Sequence, residues 1–230
     1  MRSFDPSSDP LRLVVFDMDG TLIDSQHHII ASMTRSFERN GFAAPDPASV
    51  RAGVGLPLEV IIGSLLPDIS PEQCERLVQD YRGDHRARLD RGERHEPLMP
   101  GAREVVERLD AAGYLIALAT GKGTRGARHA LEVHGLIDRF VSIQTSDTAP
   151  GKPHPGMLIQ AMNEAGVEAS ATIMVGDTVY DLELARNASV ASVAVTWGYH
   201  DRADLVSFGP GAVIDHFDDL DVEVERLLAS

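Results

Sequence analysis

Leu13-Val14-Val15-Phe16-Asp17-Met18-Asp19-Gly20-Thr21-Leu22 is the stretch on which the fold of this chain turns. Its first four residues are all apolar and mostly β-branched or aromatic, which suits a strand covered on both faces of a sheet. Two carboxylates follow where that strand should end. In open α/β sheets ligands gather at this carboxyl edge. Aspartates two apart can converge there on one metal ion or one phosphoryl group, one by its side chain and the other partly by its backbone. Gly20 permits a sharp turn, and Thr21 offers a hydroxyl or a cap. Alone, the stretch also reads as a polar turn capping a strand, so the rest of the chain has to decide.

Downstream, residues 24–97 read as helical throughout. Ile29, Ile30, Met33 and Phe37 lie at helical spacing, and Gly41 can end that helix. Pro57 can open a second helix, and Ser70-Pro71-Glu72-Gln73 resembles a capping box with proline at the first helical position. From Pro100 the pattern alternates. Strands are expected at Tyr114–Ala119, Phe140–Ile143, Thr172–Val175, Val190–Val195 and Ala212–Ile214, with helices between. Such alternation implies a doubly wound parallel sheet, a Rossmann-like α/β core with helices on both faces. The helical stretch then becomes an insert: core at 1–23 and 98–230, all-helical cap at 24–97.

Composition narrows the function. The 230 residues are 43% hydrophobic and 24% charged, as in an ordinary globular protein. A net charge of −14 without any basic run argues against a nucleic-acid partner. An anionic substrate would need local cations, and lysine is scarce: Lys122 and Lys152 stand alone among 21 basic residues. The lone Cys74 cannot form an internal disulfide and reads as a small buried side chain. Met1 to Pro10 lacks the apolar core of a signal peptide, and no apolar run reaches membrane-spanning length. The expectation is a cytoplasmic protein with no membrane partner, monomer or homodimer.

Three strand ends carry polar groups: Asp17 and Asp19, Thr120, and Asp177 in Gly176-Asp177-Thr178-Val179-Tyr180-Asp181. Asp177 alone reads best as a helix N-cap, but two acidic strand ends in one sheet are better explained by a divalent ion. Oxygen-only ligands suit Mg²⁺, and zinc-like His/Cys spacing is missing. Thr120-Gly121 alone reads best as a turn with a helix cap, but it also offers a hydroxyl and a free N–H that suit a phosphate oxygen. Lys152, in Gly151-Lys152-Pro153-His154-Pro155, reads as a positioned cation in a proline-stiffened loop. Lys122 lies between two glycines and ranks below it. Gly53-Val54-Gly55 could be a lid loop or a plain helix–helix turn. His27 and His28 read as surface residues, His154 as support for the lysine loop, and Trp197-Gly198-Tyr199 as packing.

Taken together, the motifs resemble the haloacid-dehalogenase superfamily of phosphatases, in the subgroup with a helical cap. Asp17-x-Asp19-Gly-Thr is similar to its first motif, Thr120 to the second, Lys152 to the third, and Gly176-Asp177-x₃-Asp181 to the fourth. Val54-Gly55-Leu56-Pro57-Leu58 and the Gly151–Pro155 loop add a likeness to the phosphoglycolate phosphatase type. The resemblance implies hydrolysis of a small phosphorylated metabolite through an aspartyl-phosphate. Asp17 would be the nucleophile and Asp19 the acid/base. Asp17, the Asp19 carbonyl and Asp177 would hold Mg²⁺, with Asp181 one shell out. Thr120, Gly121 and Lys152 would hold the phosphate. Asp19 argues against a dehalogenase, and a cap without lysine argues against a phosphonate hydrolase. A sugar phosphomutase stays open because Arg51 lies near the cap loop and could grip a second phosphate. A non-catalytic phosphate-binding module is the third reading, though none of the four motifs is lost.

Overall fold

The computed structural model describes residues 10–91 and 96–229, so the polar stretch 1–9 lies outside the described residues. The first strand, β1 (Leu13–Phe16), leads into four helices: α1 (Gln26–Arg39), α2 (Pro47–Gly53), α3 (Leu58–Leu65) and α4 (Pro71–Asp90). The chain then alternates through α5 (Ala102–Ala111), β2 (Leu115–Thr120), α6 (Thr124–Val133), β3 (Phe140–Thr145), α7 (Gly156–Ala165), β4 (Thr172–Gly176) and α8 (Val179–Asn187). It closes with β5 (Ala191–Val195), α9 (Arg202–Ser207), β6 (Ala212–Ile214) and α10 (Leu220–Leu228). All six strands are parallel, in the order β3-β2-β1-β4-β5-β6.

The unbroken apolar run of β1 has a simple cause. Val14 and Phe16 point into a cluster with α5 and α10, while Leu13 and Val15 point into another with α7 and α8. With β2 on one side and β4 on the other, no face or edge of β1 meets water. Strand order reverses at β1, which opens the ligand crevice beyond the carboxyl ends of β1, β2 and β4.

Helices α1 to α4 keep a core of their own, in which Met33, Phe37, Val50, Ile62, Leu77 and Val78 pack together. The segments entering and leaving this helical region run side by side. Ile23 and Leu98 form an antiparallel bridge, flanked by hydrogen bonds from Asp24 N to Pro97 O and from Met99 N to Leu22 O, both 2.9 Å. The capping box at the head of α4 is present: Ser70 N donates to Gln73 Oε1 and Gln73 N donates to Ser70 Oγ.

Some elements differ from the sequence expectation. Helix α2 was not anticipated, although Asp46 accepts from Ser49 N at 2.8 Å and Pro47 opens its first turn. Helices α9 and α10 were not anticipated either. Cys74 is partly exposed rather than buried: it packs against the helical core, and its thiol lies 3.8 Å from the Glu59 carbonyl. Among the described residues no helix is long and apolar enough to cross a membrane.

Candidate active site

The three polar strand ends converge. Asp17 leaves β1, Thr120 ends β2, Asp177 follows β4, and all three side chains are buried. Gly20 holds the turn after β1 at φ +89°, and a Cβ there would fall 2.3 Å from Asp177 Oδ2. Thr21 Oγ1 donates to Asp177 Oδ1 at 2.7 Å, so the turn after one strand orients the carboxylate after its neighbour.

Lys152 is the buried cation of this group. Its Nζ lies 2.8 Å from Asp17 Oδ1 and 2.5 Å from Asp181 Oδ1. Burial opposes the ammonium charge, but the two carboxylates outweigh burial and raise the lysine above its ordinary range. Asp181 accepts at its other oxygen from Thr178 N at 3.0 Å and Thr178 Oγ1 at 2.8 Å, within the capping box that starts α8. Thr178 is thus the N-cap, and Asp177, one residue earlier, is left free of that duty.

Asp17, Asp177 and Asp181 each offer a buried carboxylate oxygen, all within 4.8 Å of one another. Burial, then the neighbouring carboxylates Asp17 and Asp181, push Asp177 well above the usual carboxylate range. Asp17 is pushed up to about 7, chiefly by burial, against the opposing pull of Lys152. Three buried acids against one lysine are a donor set that fits a hard divalent cation. Asp181 has both oxygens engaged, by Lys152 and by Thr178, and Asp177 likewise accepts from Thr21 Oγ1 and Tyr199 N.

Asp19 points elsewhere. Its Oδ1 accepts from Lys122 Nζ at 2.7 Å, and Lys122 also lies 3.3 Å from Glu96 Oε2. Lys122 is therefore more firmly placed than its glycine neighbours suggest. Its glycine neighbours sit in the turn after β2, but its side chain is almost fully buried between two carboxylates. Burial acts to raise Asp19, and Lys122 overrides it, so the carboxyl stays below its ordinary range. Thr120 Oγ1 accepts from Lys122 N at 3.1 Å.

Other sequence readings change as well. Trp197-Gly198-Tyr199 does more than pack. Trp197 Nε1 donates to Thr21 O and Tyr199 N donates to Asp177 Oδ2 at 2.9 Å. A Cβ at Gly198 would sit 2.2 Å from Asp177. We therefore expect Gly198→Ala to displace Asp177 and cut turnover by about a hundredfold. Steady-state kinetics beside an unchanged circular-dichroism spectrum would check this. His28 is not simply a surface residue, since it contacts Glu96 at 3.2 Å and lines the cavity. His154 does brace the lysine loop, accepting from Gly156 N.

A cavity of about 400 Å³ opens between these groups and the helices. Asp17, Asp19, Thr120, Gly121 and Lys122 form its floor, and residues of α1 to α4 form its roof. The Gly53–Pro57 loop is brought down over the floor: a Cβ on Gly121 would lie 3.6 Å from Gly55 O, and one on Gly151 would lie 2.6 Å from Pro57. Val50 and Val54 line this space, but Arg51 between them is not among its lining residues.

Residues 14–195 match the family described as haloacid dehalogenase-like hydrolase. A Dickeya dadantii protein named Probable phosphatase IndB is 34% identical over 210 residues, covering 90% of this chain and 91% of its own. A phosphoglycolate phosphatase of Mesorhizobium japonicum is 34% identical over 222 residues, covering 94% and 96%. In structure, a haloacid dehalogenase-like family hydrolase of Streptococcus pneumoniae superposes with a TM-score of 0.81 at 27% identity, over 92% of this chain and 97% of its own.

Proposed function

The chain belongs to the haloacid dehalogenase-like hydrolase family and is a phosphatase within it, and from that premise we propose that it is a Mg²⁺-dependent phosphomonoesterase acting on a small phosphorylated metabolite through an aspartyl-phosphate. Phosphoglycolate, the substrate in the relatives' names, marks the scale. The observation that carries the reading is Asp17: a buried carboxylate at the floor of the cavity, 2.8 Å from a buried lysine and beside two further acids.

Asp17 attacks phosphorus, and the phosphoryl group passes to its carboxylate as the alcohol leaves. Lys152 and the Thr120 hydroxyl neutralise and orient phosphate oxygens as charge moves onto them. Asp19 gives a proton to the leaving oxygen, then takes one from the water that opens the phosphoenzyme. The resting Lys122–Asp19 pair favours the base form used in the second half. In the first half the incoming dianion raises the proton affinity of Asp19. A Mg²⁺ held by Asp17, Asp177 and the Asp19 carbonyl would neutralise charge on the transferring group. Helices α1 to α4, read as a lid over residues 24–97, exclude water and bulky substrates.

The test is release of phosphate from a generic ester: turnover with Mg²⁺, and loss of it in excess chelator. A second readout needs no chemistry. Asp17 and Asp177 have folded-state pKa values raised above those of the unfolded chain. The stability linked to their protons is complete below the unfolded value and is lost as pH rises through about 7, where Asp17 titrates. A cation replaces those protons. The gain in Tm on adding Mg²⁺ is therefore expected to be larger at about pH 8 than at about pH 5. Equal gains at both would count against Asp17 and Asp177 as the metal site.

A further inference from the structure

The roof of the cavity has two unlike walls. Ile29, Met33, Val54, Leu56 and Ile61 make one of them apolar, while α4 lines the other with Tyr81, Arg82, His85 and Arg86. Residues four apart share a helix face, so the Tyr81–His85 and Arg82–Arg86 pairs run side by side along α4. His85 marks where this polar stripe meets the core: a Cβ at Gly126 would fall 2.8 Å from its Nε2 and 3.3 Å from Lys122 Cγ. That nitrogen is buried and has no hydrogen-bond partner among the described residues. A buried polar atom left so is costly, and the polar side of the roof is incomplete as it stands.

The cations of the cavity differ in what they already hold. Lys122 lies between Asp19 and Glu96, Arg82 reaches Glu59 at 3.2 Å, and Arg125 pairs with Asp90. Arg86 also lines the cavity, and the described residues offer it neither an ion pair nor a hydrogen bond. In a chain of net charge −14, a cation with no acid beside it stands out against its surroundings. The cavity of about 400 Å³ also leaves room beyond a phosphate on the floor for a short alcohol half reaching the roof.

The geometry points to Arg86 as a specificity-determining residue, and to a substrate whose alcohol half bears a second anionic group, a carboxylate or a phosphate, that the Arg86 guanidinium receives while the floor holds the reacting phosphate. This rests on the phosphatase reading above and deepens it, naming the chemistry of the alcohol half and the side chain that selects it. A planar guanidinium forks onto either anion through two parallel hydrogen bonds, and a neutral group of the same shape forfeits the charge in both.

The experiment measures kcat/KM with Mg²⁺ on matched esters: phosphoglycolate and its amide, 3-phosphooxypropionate and its amide, and 1,3-propanediol bisphosphate and 3-hydroxypropyl phosphate. In at least one pair the anionic ester is expected to exceed its neutral counterpart by about tenfold or more. The pair with the largest ratio tells carboxylate from phosphate and gives the reach. Arg86 is exposed on α4, so its replacement leaves the fold intact, which circular dichroism checks. Arg86→Gln should bring that ratio close to one, and Arg86→Lys should restore part of it. Ratios near one for every pair in the unaltered protein, or a ratio that survives Arg86→Gln, overturn the inference. Calorimetry with 3-phosphonopropionate and its amide separates it from the phosphatase reading. If no ester is turned over but the acid binds more tightly than the amide and loses that advantage in Arg86→Gln, the phosphatase reading fails and the Arg86 assignment stands. Equal binding of the two without turnover sinks both.

Discussion

Asp17→Asn is expected to yield a folded protein that releases no phosphate and accumulates no phosphoenzyme. The substitution keeps the shape of the side chain and removes its nucleophilic charge. Loss of a nucleophile from a site whose groups act as a unit costs a factor on the order of 10⁵. The structure adds a reason to expect a stable variant. Asp17 is buried with Asp177 and Asp181 and is held up to about 7 mainly by that burial. A neutral amide relieves crowding among three acids, although it leaves Lys152 with Asp181 alone. Tm should therefore change little while turnover vanishes. Asp19→Asn makes the contrast. It removes the proton carrier and leaves the nucleophile, so alkyl phosphates should suffer strongly and nitrophenyl phosphate much less, because nitrophenolate leaves without a proton. Measured together, equal losses on both esters for the Asp19 variant would remove its acid role, and a residual phosphoenzyme in the Asp17 variant would move the nucleophile elsewhere.

Much of this arrangement was legible before the fold. Burial on both faces writes itself into β1 as an uninterrupted apolar run, and carboxylates placed after such a run can only lie at the carboxyl edge. Thr120 and Asp177 carry the same signature after β2 and β4. Lys152 was legible because lysine is scarce and prolines flank its loop. What was illegible depends on distance in space. Lys122 looked unconstrained between glycines, yet its long side chain reaches Asp19 across the gap between β1 and β2, and Glu96 on the segment returning from the helices. Tyr199 and Gly198 meet Asp177 only because β5 lies beside β4. No local pattern encodes such a contact. Helix α2 was missed for its shortness, since seven residues hold too few turns for periodicity to emerge. Its Asp46-Pro47-x-Ser49 cap was the signal available.

Lys152→Ala is expected to lower kcat/KM by about 10²–10³-fold, the scale set by removing one electrostatic group aimed at a transferring oxyanion. The protein bears a net charge of −14, so its bulk field repels the proposed dianionic substrate and only local cations can hold it. Lys152 is fully buried and touches Asp17 itself, at 2.8 Å. Without it the nucleophile, Asp181 and the phosphate stand uncompensated in a dry site, where charge interactions are strong. Lys122→Ala is the control, and nitrophenyl phosphate is the ester on which to compare them. Lys122 acts on Asp19, whose proton that leaving group does not need, so its loss should cost about tenfold at most there. On alkyl phosphates the two variants should draw closer together, because Asp19 then matters. Lys152→Arg separates charge from shape: a planar guanidinium cannot fit the point between Asp17 Oδ1 and Asp181 Oδ1, so the substitution should rescue little. If Lys122→Ala proves the more damaging change on nitrophenyl phosphate, the lysine that meets the phosphate is the one paired with Asp19, and the assignment of the third strand-end loop to charge neutralisation fails.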